Sequence, residues 1–153
     1  MSKTKFRMKI TSIDYTPVEE QNPEENAAPE LSEYITEAEL EEGESYEIVY
    51  RESEELGMGD TVVKICWTKK EPGRVSVIRG GEVETVMTFE EGKRHISTYS
   101  MPGMSFELCT RSLRVDNKFS LDGGDIFLDY IVEIRGSFGG RRKMIIEALP
   151  DAQ

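Results

Sequence analysis

Glycine punctuates this chain from Gly43 to its end, at a spacing that leaves room for a short strand and little else. Turn signals stand at Gly57-Met58-Gly59, Glu71-Pro72-Gly73, Gly80-Gly81, Glu91-Gly92, Pro102-Gly103, Asp122-Gly123-Gly124 and Gly136-Ser137-Phe138-Gly139-Gly140. Glycine reaches positive φ angles without steric cost, and two-residue hairpin turns demand them. The runs between the turns alternate apolar and polar residues and carry no helical period. Short, regular strands joined by tight turns are the mark of an all-β meander. The pattern is densest from Arg79 to Met104, where Gly80-Gly81, Glu91-Gly92 and Pro102-Gly103 each close a strand. Strands that pair neighbour to neighbour favour an up-and-down barrel, here of about 8–10 strands.

Alternation also assigns faces, because successive side chains of a strand point to opposite sides. Tyr46, Ile48 and Tyr50 share one face, as do Val63, Ile65 and Trp67, then Val75 and Val77, then Val83, Met87 and Phe89, then Phe106 and Leu108. Ile126, Leu128, Tyr130, Val132 and Ile134 form the longest stripe, but its opposite face carries Phe127 and Ile131 among charged residues. A strand apolar on both sides expects a cover, either the acidic loop or a second copy of the chain, so a homodimer through Phe127 and Ile131 is one expectation. Met144, Ile145 and Ile146 make a last strand suited to pair with the first, in which Phe6, Met8 and Ile10 alternate with basic residues.

Between these strands lies an acidic stretch. From Asp14 to Glu55 there are 16 carboxylates and one cation, Arg51, whereas Gly57 to Gln153 carries 14 residues of each sign. VEEQNPEENAAPELSE, following Pro17, is too poor in apolar residues to repay the entropy of ordering it, so a mobile insertion is expected at about residues 15–30. Leu31 to Leu40 is ambiguous: Thr36-x-x-Glu39 resembles a helix capping box, yet Tyr34, Thr36, Ala38 and Leu40 alternate with glutamates. The alternation and the all-β surroundings favour a strand.

At 153 residues the chain suits one domain, spanning 1–153, with a core large enough to stand without disulfides or metals. Its net charge of −11 repels phosphate backbones and anionic lipid, which argues against nucleic acid and membranes as partners. No stretch has the apolar length of a signal peptide core or a membrane span, and a cytoplasmic location is expected. Cys66 and Cys109, 43 positions apart in strand-like runs, read as free buried thiols.

The runs YEIVYRESEELG from Tyr46, IRGGEVETVMTFEEGKRHISTYSMPG from Ile78 and FELCTRSLRV from Phe106 resemble the YwiB-like family of small bacterial proteins of unknown function. The resemblance spans nearly the whole chain apart from the acidic insertion. It implies a calycin-like β-barrel, the broad architecture of lipocalins and fatty-acid-binding proteins, and it implies no activity. Its recurring residues fall at Tyr50, Glu52, Arg79, Gly81, Met87, Phe89, Gly92, Tyr99 and Thr110. One departure is local: the resemblance implies a glycine-led turn after Pro102 with an aromatic residue before it, and here Gly103 is followed directly by Met104.

Arg79 follows Val75 and Val77 onto the inward face, which brings a guanidinium to the inner wall or mouth of the barrel. If the barrel is hollow, Arg79 with Tyr50, Glu52, Tyr99 and Thr110 forms a candidate site for the carboxylate or phosphate head of an otherwise apolar ligand. The plainer alternative is an internal salt bridge from Arg79 to a glutamate such as Glu52. His95, the lone histidine, rules out multi-histidine metal sites in a monomer, and with Ser97 on the same face it makes a weak nucleophile–base pair; a surface or rim histidine is expected. No catalytic constellation, metal set or cofactor motif is present, so the expectation is a non-enzymatic barrel that binds a small hydrophobic or anionic ligand. A barrel packed solid, working by oligomerisation or docking, is the alternative.

Overall fold

The computed structural model describes residues 2–15, 29–52, 61–81, 84–135 and 137–150. These form ten strands and no helix: β1 (Ser2–Tyr15), β2 (Glu30–Glu42), β3 (Ser45–Glu52), β4 (Thr61–Thr68), β5 (Arg74–Gly80), β6 (Thr85–Glu90), β7 (Arg94–Met101), β8 (Met104–Asn117), β9 (Asp125–Ile134) and β10 (Ser137–Ala148). Among the described residues no helix is long and apolar enough to cross a membrane. The strands make one antiparallel sheet in the order β6-β5-β4-β3-β2-β1-β10-β9-β8-β7, a meander rolled into a nearly closed barrel. The segment that also resembled a helix is strand β2, with Ala38 and Leu40 buried inward against solvent-facing glutamates. The insertion at about 15–30, the turn at Gly57-Met58-Gly59 and Val83 lie largely or wholly outside the described residues.

The last strand does pair with the first, Ile10 opposite Ile146. The open ends of the sheet lie elsewhere, at β6 and β7, the two strands joined by Glu91-Gly92. Gly92 makes the expected turn, with φ of 78°. Yet no ladder joins β6 and β7, and among the described residues their one bridge is Glu84, just ahead of β6, with Ser100. Lys93 N–H donates to Glu90 O at 3.0 Å and closes the turn, but the rest of the tip is bonded to β8: Gly92 N–H donates to Ser112 O at 2.9 Å, Ser112 N–H to Lys93 O at 3.0 Å, and Glu90 N–H to Ser112 Oγ at 3.1 Å. Ser112 thereby takes the Glu90 donor that a zipped hairpin needs for its own first rung.

Inward stripes from the strands form one core, and four of them change from apolar to polar towards the same end of the barrel. Ile10 leads to Ser12 and Asp14 in β1, Ile48 to Tyr50 and Glu52 in β3, Val75 and Val77 to Arg79 in β5, and Ile146 and Met144 to Arg142 in β10. Because neighbouring strands are antiparallel, polar ends at alternating strand termini collect at one end of the barrel. The other end is plugged by aromatic rings: Phe119 meets Phe6 edge-on at 5.8 Å and Trp67 at 5.7 Å, and Trp67 stacks on Tyr46 at 5.4 Å. Such pairs add about 0.5–1.5 kcal/mol each beyond area burial. Both cysteines are free; Cys109 is buried, whereas Cys66 stands half-buried on the outer face between Ile65 and Trp67. Phe127 and Ile131 are half-buried on the outer face of β9, and the Arg114 guanidinium lies 5.4 Å from the centre of the Phe127 ring.

Candidate functional site

The polar end of the barrel opens into a cavity of about 810 Å3. That is the size of pocket that holds small organic ligands, roughly 300–1,000 Å3. Its walls are Ile10, Met87, Phe106, Leu108, Val132 and Met144, and its mouth carries Arg79, Arg142, Asp14, Glu52 and a set of tyrosines. The barrel is therefore hollow at this end and packed at the other.

Arg79 donates from Nε to Glu52 Oε1 at 2.9 Å. Glu52 is nearly sealed, its side chain 5 % exposed against 18 % for Arg79. The two residues come from β3 and β5, each opposite a residue of β4, Thr61 and Val63, so the ion pair spans the strand between them. Burial works against the Arg79 charge, but Glu52 and the phenols of Tyr50 and Tyr130 outweigh it and hold the guanidinium pKa above its ordinary value. The salt bridge and the cavity position both hold for Arg79: one N–H serves Glu52, and a guanidinium has five.

Arg142 repeats the arrangement on the opposite side of the sheet order. It stands in β10 between Asp14 on β1 and Tyr130 on β9, directly across from each. Its Nε donates to Asp14 Oδ1. Burial again opposes its charge, while Tyr130 and Asp14 favour it and raise its pKa.

Tyr34 and Tyr50 are joined by a hydrogen bond that links β2 to β3 beyond the point where their ladder ends at Glu39 and Val49. Burial raises the pKa of Tyr34, of Tyr130 and, most strongly, of Tyr50. All three stay neutral and able to donate. Folding thus disfavours their ionisation, and because the unfolded chain loses these protons near the ordinary value of about 10, their contribution to stability is intact below that pH and falls away above it. In a phenolate absorbance titration of the native protein, Tyr34, Tyr50 and Tyr130 are expected to ionise above the ordinary range of a phenol. Ionisation of all six tyrosines near the ordinary value, with the fold intact, would contradict this burial.

Of the residues singled out in the sequence, Arg79, Glu52, Tyr50 and Tyr99 stand on the cavity wall. Thr110 does not. It is buried on β8 opposite His95, past Leu108 and away from the mouth, and its Oγ1 has no hydrogen-bond partner. His95 is not at the rim but half-buried on the inner face, its Nε2 3.5 Å from Glu90 Oε1, long for a hydrogen bond. Ser97 Oγ has no partner, so no nucleophile–base pair is formed. Among the described residues no group of three or more His, Cys, Asp or Glu side chains is placed to hold a metal ion. Arg142, Asp14, Tyr34 and Thr85 complete the site. The signal for two of them was the step that found Arg79: Arg142 follows Ile146 and Met144, and Asp14 follows Ile10 and Ser12, at period two.

What the arrangement offers is a set of fixed donors, two guanidinium forks and several neutral phenols, above apolar walls. Such a set holds an oxyanion or polar head group and leaves the remainder in the barrel. A search of curated proteins finds no match. Among solved structures, the crystal structure of the ywiB protein from Bacillus subtilis superposes with a TM-score of 0.76, covering 98 % of this chain and 94 % of that one at 20 % identity, which shows a shared fold. A profile described as a domain of unknown function, DUF1934, matches residues 17–146, and with that match the chain belongs to this YwiB-like family.

Proposed function

We infer that this protein is a cytoplasmic binding protein rather than an enzyme, taking a small, partly apolar ligand into the open end of a calycin-like barrel. The observation that carries this reading is the cavity itself: ligand-sized, apolar-walled and reaching Arg79 and Arg142 at its mouth. A barrel packed solid for docking alone has no use for such a space, and the outward Phe127 is already capped by Arg114 of the same chain. The ligand's anionic or strongly polar head sits at the guanidinium forks and its apolar part among Ile10, Met87, Leu108 and Met144. Both arginines are already paired with carboxylates, so the head group carries no more than one or two charges.

Native mass spectrometry of freshly purified protein is the direct test. The expected result is a retained small molecule, or uptake of one from a metabolite and lipid panel, weakened at least tenfold by Arg142→Gln. No bound species and no thermal shift across that panel would overturn the reading.

A further inference from the structure

We propose that the seam between β6 and β7 is a lateral entrance to the cavity, an inference that rests on the ligand reading above. The seam is pinned at both ends and unzipped between them. At one end Glu84 and Ser100 exchange backbone hydrogen bonds at 2.8 and 2.9 Å; at the other, Gly92, Lys93 and Glu90 are bonded to Ser112 of β8. The register set by Glu84 and Ser100 would pair Val86 with Thr98 and Thr88 with Ile96, but among the described residues no ladder joins these positions. Among the described residues every other pair of consecutive strands is joined by a ladder, the shortest being the four pairs of β2 with β3.

Two further observations separate this seam from a mere irregularity. The inward side chains of its two strands, Thr85 and Met87 on β6 with Tyr99 and Met101 on β7, line the cavity, so a parting of the strands opens directly into it. The interior behind the seam also holds polar atoms without partners: Thr85 Oγ1, Ser97 Oγ and, on the adjoining strand, Thr110 Oγ1. A buried hydroxyl with no partner raises the free energy of the closed state, and water admitted by opening restores its hydrogen bond. The closed seam is thereby biased towards opening. On the outside, Val86 and Ile96 flank the gap as exposed apolar side chains, which give an apolar ligand a first contact.

Two measurements decide it. In the ligand-free protein, amide hydrogen exchange at Val86, Thr88, Ile96 and Thr98 is expected to run at least a hundredfold faster than in the β9–β10 ladder; equal protection would overturn the entrance whatever the ligand. In the second, V86C/T98C is built in a C66A/C109A background and the two thiols are bridged with dibromobimane. Binding of 1-anilinonaphthalene-8-sulfonate, an apolar sulfonate, is then followed by stopped flow. Bridging is expected to slow both association and dissociation at least tenfold with the equilibrium affinity changed less than twofold. Unchanged rates would overturn the entrance and leave the ligand reading standing, because the open mouth would then serve. Failure of the unmodified protein to bind this probe or any member of the metabolite and lipid panel would remove both.

Discussion

Arg79→Ala is expected to lower the unfolding free energy by about 3–5 kcal/mol, the cost of stranding one partner of a buried ion pair. Glu52 is the reason: its carboxylate is nearly sealed from solvent and its hydrogen bond from Arg79 is 2.9 Å. Left alone it must either bury an unpaired charge or take up a proton, and both are unfavourable at neutral pH. The double variant R79M/E52L removes both charges and fills similar volume, and it is expected to recover most of the loss, because well-packed apolar replacements for buried pairs are often neutral. Urea denaturation of the single and double variants at neutral pH gives the coupling directly. Equal losses in the single and double variants would mean that packing across β4, not charge, is what Arg79 supplies. Since Arg79→Ala disturbs the fold as well as the site, ligand loss in that variant alone does not identify a binding residue. Arg142, with a half-exposed side chain and a half-exposed Asp14 partner, is the cleaner test of binding.

The strands and their faces were legible because a period of two is a local property, readable wherever one side of a sheet is buried. Extending it past the last aliphatic residue of a stripe led to Arg79, and the same extension leads to Arg142 and Asp14, so most of the cavity mouth is written in the alternation. What alternation cannot carry is height along the barrel. Thr110 shares a face with Leu108 and Phe106, yet it sits below the cavity floor, because depth depends on the stagger of ten strands and on the bulge between Ser112 and Arg114 that shifts the ladder with β9. The seam was hidden for the same reason. Glu91-Gly92 is as good a turn signal as Gly80-Gly81, and nothing within the hairpin says that Ser112, some twenty residues on, will take the Glu90 donor. Closure is a long-range outcome, decided by which edges are left over once the more extensive ladders have formed.

Phe89→Ala is expected to cost about 3–5 kcal/mol, the range for deleting a fully buried aromatic side chain. Phe89 is 1 % exposed and its ring centre lies 4.6 Å from that of Tyr130, the phenol that supports Arg142. Its position makes the loss more than a cavity. Strand β6 is held by a ladder on one side only, to β5 through Val75–Phe89 and the neighbouring rungs, so packing of its inward side chains into the core does what a second ladder does for the strands inside the sheet. Ile48→Ala supplies the control: Ile48 is fully buried too, but β3 is laddered on both sides, to β2 and β4. Both variants are expected to lose global stability, by about 2–5 kcal/mol for the isoleucine. Only Phe89→Ala is expected to speed amide exchange along β6 and β7 beyond what its global loss explains, since exchange by local opening depends on the contacts of the opening unit alone. If exchange in β6 and β7 tracks global stability equally in the two variants, the seam is part of one cooperative barrel, and core packing at Phe89 is not what keeps it shut.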